Sequence, residues 1–210
     1  MNILIFGASG KTGLELVRQG LLQEQQITAF VRNPEKISPI KLDRLKIVQG
    51  DVKDFNSVAA AVKNQDVVIS ALGVSQPLKN DPVVIEGIRN IIKAMQEMKV
   101  NRLIYLSFIA VGEGRKNAGF LIKNIVSRIV RHEIADHKEK ERLIRSSQLE
   151  WTIIHPPKLT NNPGKNNYRT GENIKANKFL PTLSRVDLAD FMLKQVTDKT
   201  YIHKTPRILY

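Results

Sequence analysis

The run Asn2-Ile3-Leu4-Ile5-Phe6 is almost wholly apolar and passes straight into three glycines, Gly7, Gly10 and Gly13. Behind them Leu14, Leu16, Val17, Leu21 and Leu22 recur at helical spacing. A strand that becomes a helix within so few residues needs glycine for the tight turn, for close approach of a ligand to backbone, and for packing of the helix near the sheet. The first N–H groups of such a helix have no partner within it, and its dipole places partial positive charge there, so the turn suits an anion such as a diphosphate. The spacing Gly-x-x-Gly-x-x-Gly differs from the commoner G-x-G-x-x-G and is by itself compatible with a bare strand–helix turn. The strand before it and the amphipathic helix after it are what point to a dinucleotide.

The same alternation continues along the chain. Apolar, β-branched stretches at 2–6, 27–31, 45–48, 66–70, 102–107 and 151–155 read as strands, and the spacing predicts helices over 11–22, 54–63, 83–98 and 185–196 and, over 120–145, one long helix or two joined. The strands are continuous apolar runs, as in a parallel sheet covered on both faces. The fold class is therefore α/β: a doubly wound, mostly parallel Rossmann-like sheet with helices on both faces, in one domain over residues 1–210. Residues 156–181, rich in Pro, Gly and Asn, break the rhythm and read as an irregular substrate-side loop. Ser184 caps the last helix, with Asp187 expected to complete a capping-box-like pair.

Composition narrows the function classes. No cysteine is present, which excludes disulfides, thiol nucleophiles and zinc–thiolate sites, and no metal site is expected. The opening apolar run lacks a basic leader and is too short for a signal or a membrane span, so a soluble cytoplasmic protein with no membrane partner is expected. Short helices without an obvious exposed apolar stripe favour a monomer. The net charge of +13 suits nucleic acid, a membrane surface or a polyanionic small molecule. Bases are interspersed with acids, as in residues 137–142, and aromatics are only 6% of the chain, unlike the basic, aromatic-laced stripe of a nucleic-acid binder. A small-molecule acceptor is the expected partner, and nucleic acid is not.

An NAD site wants an acidic residue about 20 positions beyond the first glycine. Here the second strand ends in Val31-Arg32-Asn33. A guanidinium at that point forks onto the 2′-phosphate of NADP, with Lys11 and Lys36 nearby, although Arg32 also reads as an ordinary exposed arginine. Asp51, in Gly50-Asp51-Val52, has two readings: an acceptor for the adenine amino group, or the cap of the following helix. Ser70-Ala71-Leu72-Gly73 and Ser107 end the fourth and fifth strands, on the edge where open α/β sheets bind ligands. Lys158, Lys165, Arg169, Lys175 and Lys178 form either a rim for an anionic substrate or a solvated loop.

Taken in order, GASGKTG, VRNPEK, GDV, SALG, the serine at 107, TIIHPPKLTN and SRVDLADFML resemble the atypical short-chain dehydrogenase/reductase superfamily, in its NmrA-like NAD(P)H-binding branch, and within it the biliverdin-IXβ/flavin reductases. The likeness covers nearly the whole chain. It implies a Rossmann-like sheet and NADP(H) as cofactor. Gly7, Ser9, Gly10, Lys11, Thr12 and Gly13 would hold the diphosphate, Arg32 the 2′-phosphate, Asp51 and Val52 the adenine, and Leu72 and Gly73 the ribose. Ser107 would sit beside the nicotinamide, along which His155, Pro156, Pro157, Lys158 and Leu159 would pass.

There are departures from the superfamily. None of Tyr105, Tyr168, Tyr201 and Tyr210 is followed four residues on by lysine, so the usual Tyr-x-x-x-Lys alcohol chemistry is not expected. Where the flavin reductases carry a histidine on the preceding helix, this chain has Glu141. His137, one turn upstream, is either its catalytic substitute or a surface histidine. Ser107 either orients a carbonyl or carboxamide or satisfies the strand end. The expected function is NADPH-dependent hydride transfer to a flavin, quinone or related conjugated acceptor, the coenzyme carrying the chemistry. The alternative is a non-catalytic NADP(H) sensor.

Overall fold

The computed structural model describes residues 1–37, 43–73, 82–108, 131–177 and 180–210. Six parallel strands, β1 (Asn2–Phe6), β2 (Gln26–Val31), β3 (Leu45–Gln49), β4 (Val67–Ser70), β5 (Arg102–Leu106) and β6 (Glu150–Ile154), make one sheet in the order β3-β2-β1-β4-β5-β6. That order reverses between β1 and β4, which opens a crevice at the carboxyl ends of those two strands. Each sequence-predicted strand is present with its boundaries shifted by one residue at most.

Alternation along β1 divides the core. Ile3 and Ile5 face α1 (Lys11–Leu22) and, at the chain's far end, the helix Arg185–Lys194. Leu4 and Phe6 face α2 (Phe55–Val62) and α3 (Pro82–Glu97), and Ile144 of α4 (Arg131–Arg145) joins that side. The helix Arg185–Lys194 is α5. Burial on both faces explains the uninterrupted apolar strands. The predicted helix over 120–145 is seen as α4 from Arg131; its earlier residues lie outside the described ones. Leu22, expected on the apolar face of α1, is instead 83% exposed, because it follows exposed Arg18 by one turn on the solvent side of the helix, while Leu21 beside it is buried.

The stretch 156–181 is less irregular than its composition implies. It holds β7 (Lys158–Thr160) and β8 (Arg169–Gly171), which pair with β9 (Thr182–Ser184) and β10 (Arg207–Leu209). Three-residue strands leave no periodic trace, so they were not legible in the sequence. The cap of α5 also differs from expectation. Ser184 Oγ accepts from the Val186 amide, but Asp187 does not return to the Ser184 amide. It is fully buried and accepts from the Lys165 and Asn166 amides and the Tyr210 hydroxyl, and that hydroxyl in turn accepts from the Ser184 amide. The reciprocal cap is thus relayed through Tyr210, tying the loop, β9 and the last strand to one carboxylate.

At the opposite edge of the sheet from the crevice, buried Arg102 donates to the Gln195 carbonyl from Nε and Nη2 and to the Glu150 carbonyl from Nη1. Burial lowers its pKa to about 10. Removing the Tyr210 hydroxyl alone tests the relayed cap: Tyr210→Phe leaves the Ser184 amide and one Asp187 oxygen short of a partner and should cost about 1–3 kcal/mol in denaturant unfolding.

Candidate functional site

The turn after β1 is built by contact. Gly7 adopts φ +76°, and a Cβ there would stand 2.6 Å from the Ala71 carbonyl oxygen at the end of β4. A Cβ on Gly13 would stand 2.1 Å from the Gly7 carbonyl oxygen, so this glycine lets α1 rest against the turn. Gly10 is different. Its φ of −76° and ψ of 163° suit any residue, it is exposed, and the nearest atom to a Cβ is the Gly7 carbonyl oxygen at 3.2 Å. It is the N-cap of α1 and has no side chain to offer, so the amides of Lys11, Thr12 and Gly13 have no side-chain cap. An uncapped helix N-terminus beside bare backbone fits a diphosphate in charge and in room. Ser9 is half-buried, Lys11 exposed and Thr12 buried at this turn.

The flanking strand ends line the same edge. Arg32, directly after β2, is exposed and forms no ion pair among the described residues. Asp54, not Asp51, caps α2, accepting from the Asn56 amide. Asp51 Oδ1 accepts from the Lys53 amide instead, which removes the helix-cap reading and leaves the carboxylate half-buried beside the crevice. The Val52 side chain is packed in the core against α3, where Gly87 lets it approach, and its carbonyl accepts from Asn90 Nδ2 at 2.9 Å. Only its backbone remains to meet a ligand. Leu72 is half-buried and Gly73 exposed after β4.

Beyond β5 and β6 lies a buried polar group. Ser107 Oγ donates to Glu141 Oε1 at 2.6 Å, and His155 Nε2 lies 2.7 Å from the same oxygen. Arg145 Nη2 donates to Glu141 Oε2 at 3.3 Å. Ser107 Oγ is also 3.4 Å from His137 Nδ1, and the His137 ring stands edge-on to Phe108. Glu141 is 4% exposed and His137 7%. Burial would raise the Glu141 pKa, but the bonds from His155, Ser107 and Arg145 outweigh it and hold the carboxyl below its ordinary value, hence ionised. For His137, burial is the leading cause, with the positive charge of buried Lys140 added, and its pKa falls to about 3. His137 is therefore a buried neutral imidazole, not a surface histidine, and at neutral pH it has no imidazolium proton to give. Pro156 and Pro157 are buried beside His155.

The sequence set His137 one helical turn from Glu141, on one face of α4, but gave no sign that Ser107 and His155 converge on them. A tyrosine–lysine pair also forms in space, with Lys194 Nζ donating to Tyr168 Oη at 3.0 Å. Burial and the bond to Asp190 raise the Tyr168 pKa, so this phenol anchors the loop and is not primed to move a proton. Lys158, Lys165, Arg169 and Lys175 are exposed; Arg169 donates to the Lys175 and Tyr210 carbonyls, and Lys178 lies outside the described residues. Among the described residues no helix is long and apolar enough to cross a membrane.

A family model described as NAD(P)H-binding matches residues 7–199. The photosystem II assembly factor Ycf39 of Cyanophora paradoxa is 31% identical over 159 residues, which are 73% of this chain and 44% of that protein. The chain thus spans less than half the length of that relative. The uncharacterized protein YwnB of Bacillus subtilis is 25% identical over 174 residues, 81% of this chain and 77% of that one. Among solved structures, ChuY, an anaerobillin reductase from Escherichia coli O157:H7, superposes with a TM-score of 0.81 at 19% identity, covering 100% of this chain and 97% of its own. A short-chain dehydrogenase/reductase from Veillonella parvula in complex with NADP gives 0.80 at 19%, covering 100% and 94%. At such identities these structures establish the shared fold.

Two outcomes follow from the geometry. Gly10→Ala should fold normally yet weaken coenzyme binding, whereas Gly13→Ala should destabilise the fold by more than about 2 kcal/mol, read by thermal unfolding and coenzyme titration together. A buried histidine with a depressed pKa binds fewer protons folded than unfolded, so its contribution is full above about pH 6.5 and is lost as pH falls towards 3. At pH 5 the loss is on the order of 2 kcal/mol, and His137→Gln should flatten the stability–pH curve across that window.

Proposed function

We propose, on the premise that the chain belongs to the NAD(P)H-binding family, that it is an NADPH-dependent reductase of flavins, quinones or related conjugated acceptors. The observation that carries this reading is the shared edge. The uncapped turn at Gly7–Gly13, exposed Arg32 and the Ser107 cluster all stand at the carboxyl ends of β1, β2 and β5, spread across the crevice as a dinucleotide is long. Reduced nicotinamide supplies the hydride. The amides of α1 hold the diphosphate, Arg32 selects the 2′-phosphate, and Ser107 orients the nicotinamide end. Neutral His137 and ionised Glu141 are not acids at neutral pH, so water is taken as the proton source for the acceptor, which suits flavins and quinones.

A second reading, an NADP(H)-binding sensor, draws support from the lack of a primed tyrosine and from the likeness to an assembly factor. The two part on turnover. NADPH oxidation should be seen with at least one of FMN, a quinone or biliverdin. Arg32→Glu should raise KM for NADPH about ten- to a hundredfold while sparing NADH. Tight NADP binding with no oxidation by any acceptor supports the sensor, and an Arg32→Glu protein that still prefers NADPH overturns the role given to Arg32.

A further inference from the structure

We infer that Glu141 is a positioning residue that takes the only proton of Ser107 and so makes Ser107 an obligate hydrogen-bond acceptor, which reads the carboxamide N–H of the coenzyme. This rests on the proposal that the nicotinamide lies at Ser107. A serine hydroxyl has one hydrogen to give and lone pairs to receive with. Here the hydrogen is committed: Ser107 Oγ lies 2.6 Å from a carboxylate oxygen that can only accept. The carboxylate is itself fixed, with His155 Nε2 at 2.7 Å on the same oxygen and Arg145 on the other, so it has neither a rotamer nor a proton with which to release the serine. Such charge-assisted O–H···O⁻ bonds are the strong ones.

The consequence extends to His137. With the Ser107 hydrogen turned to Glu141, a bond between Ser107 Oγ and His137 Nδ1 at 3.4 Å requires the histidine to carry its hydrogen on Nδ1 and donate. Among the described residues, Lys140, fully buried on the same helix, and Tyr105 on β5 also act on this centre. The Tyr105 phenol, held protonated by burial, does not take the serine proton, and the Glu141 oxygen at 2.6 Å is that proton's acceptor. What Ser107 has left for a ligand is a lone pair. It therefore rewards an N–H and repels a carbonyl, the reverse of a serine that polarises a substrate carbonyl.

The test compares binding of NADP with that of its 3-acetylpyridine analogue, which replaces the carboxamide amine by a methyl group and keeps the carbonyl. The wild-type protein should bind NADP about three- to tenfold more tightly, the net worth of one hydrogen bond. In Ser107→Ala and in Glu141→Leu, which leaves no acceptor for the serine hydrogen, that ratio should fall to near one, with the affinity for the analogue little changed. A merely structural role would weaken both ligands alike. A wild-type ratio near one, or a preference that survives Glu141→Leu in a folded protein, overturns the inference. Should Glu141→Leu fail to fold, Ser107→Ala alone decides, since it removes a single oxygen. Binding of neither ligand to wild type overturns the coenzyme reading itself, a different failure.

Discussion

The distance between the first turn of α1 and the end of β1 governs the rest of the molecule. A side chain on Gly13 would overlap the Gly7 carbonyl, and one on Gly7 would overlap the end of β4. With both positions bare, helix, turn and neighbouring strand close to backbone contact, and the helix begins at the sheet edge. The orphaned amides of its first turn are then held at the switch point of the strand order. Loosening that contact would move the helix away from the crevice, and the dipole and the free donors with it. The same close approach seats α1 against α5, whose cap is the Asp187–Tyr210 relay, so the turn and the far end of the chain share one layer of core.

The strands were legible because burial on both faces writes a continuous apolar run, and the alternation of Ile3 and Ile5 against Leu4 and Phe6 follows from the pleat alone. The glycine turn was legible because its constraint is steric and local. Two things were not. The short strands β7 to β10 are held by pairing between distant residues, which leaves no period in three-residue segments. The Ser107 cluster draws on the ends of β5 and β6 and one face of α4, and what unites it is a single carboxylate oxygen with two donors. A sequence displays Glu141 as one more acid in the charged run 137–142. Only the fold turns that residue inward while Glu139 stays at the surface with Arg142 and Arg89.

The net charge of +13 takes on a different meaning once the cations are placed. Arg102 and Arg207 donate to backbone carbonyls and hold segments together. Arg142 and Arg89 share Glu139, and Lys194 is held by Asp190. Part of the basic complement is thus engaged in the fold. Around the crevice, by contrast, Lys11, Arg32 and Lys36 are exposed and form no ion pairs among the described residues. Bringing like charges to one edge costs stability in the absence of a ligand, and a polyanion would reverse the sign of that cost. Under the proposed function, the phosphates of a 2′-phosphorylated dinucleotide would do so at the turn and at the end of β2 together. The charge of this chain is then better understood as a set of local assignments, one of them proposed for a ligand, than as a general affinity for anions.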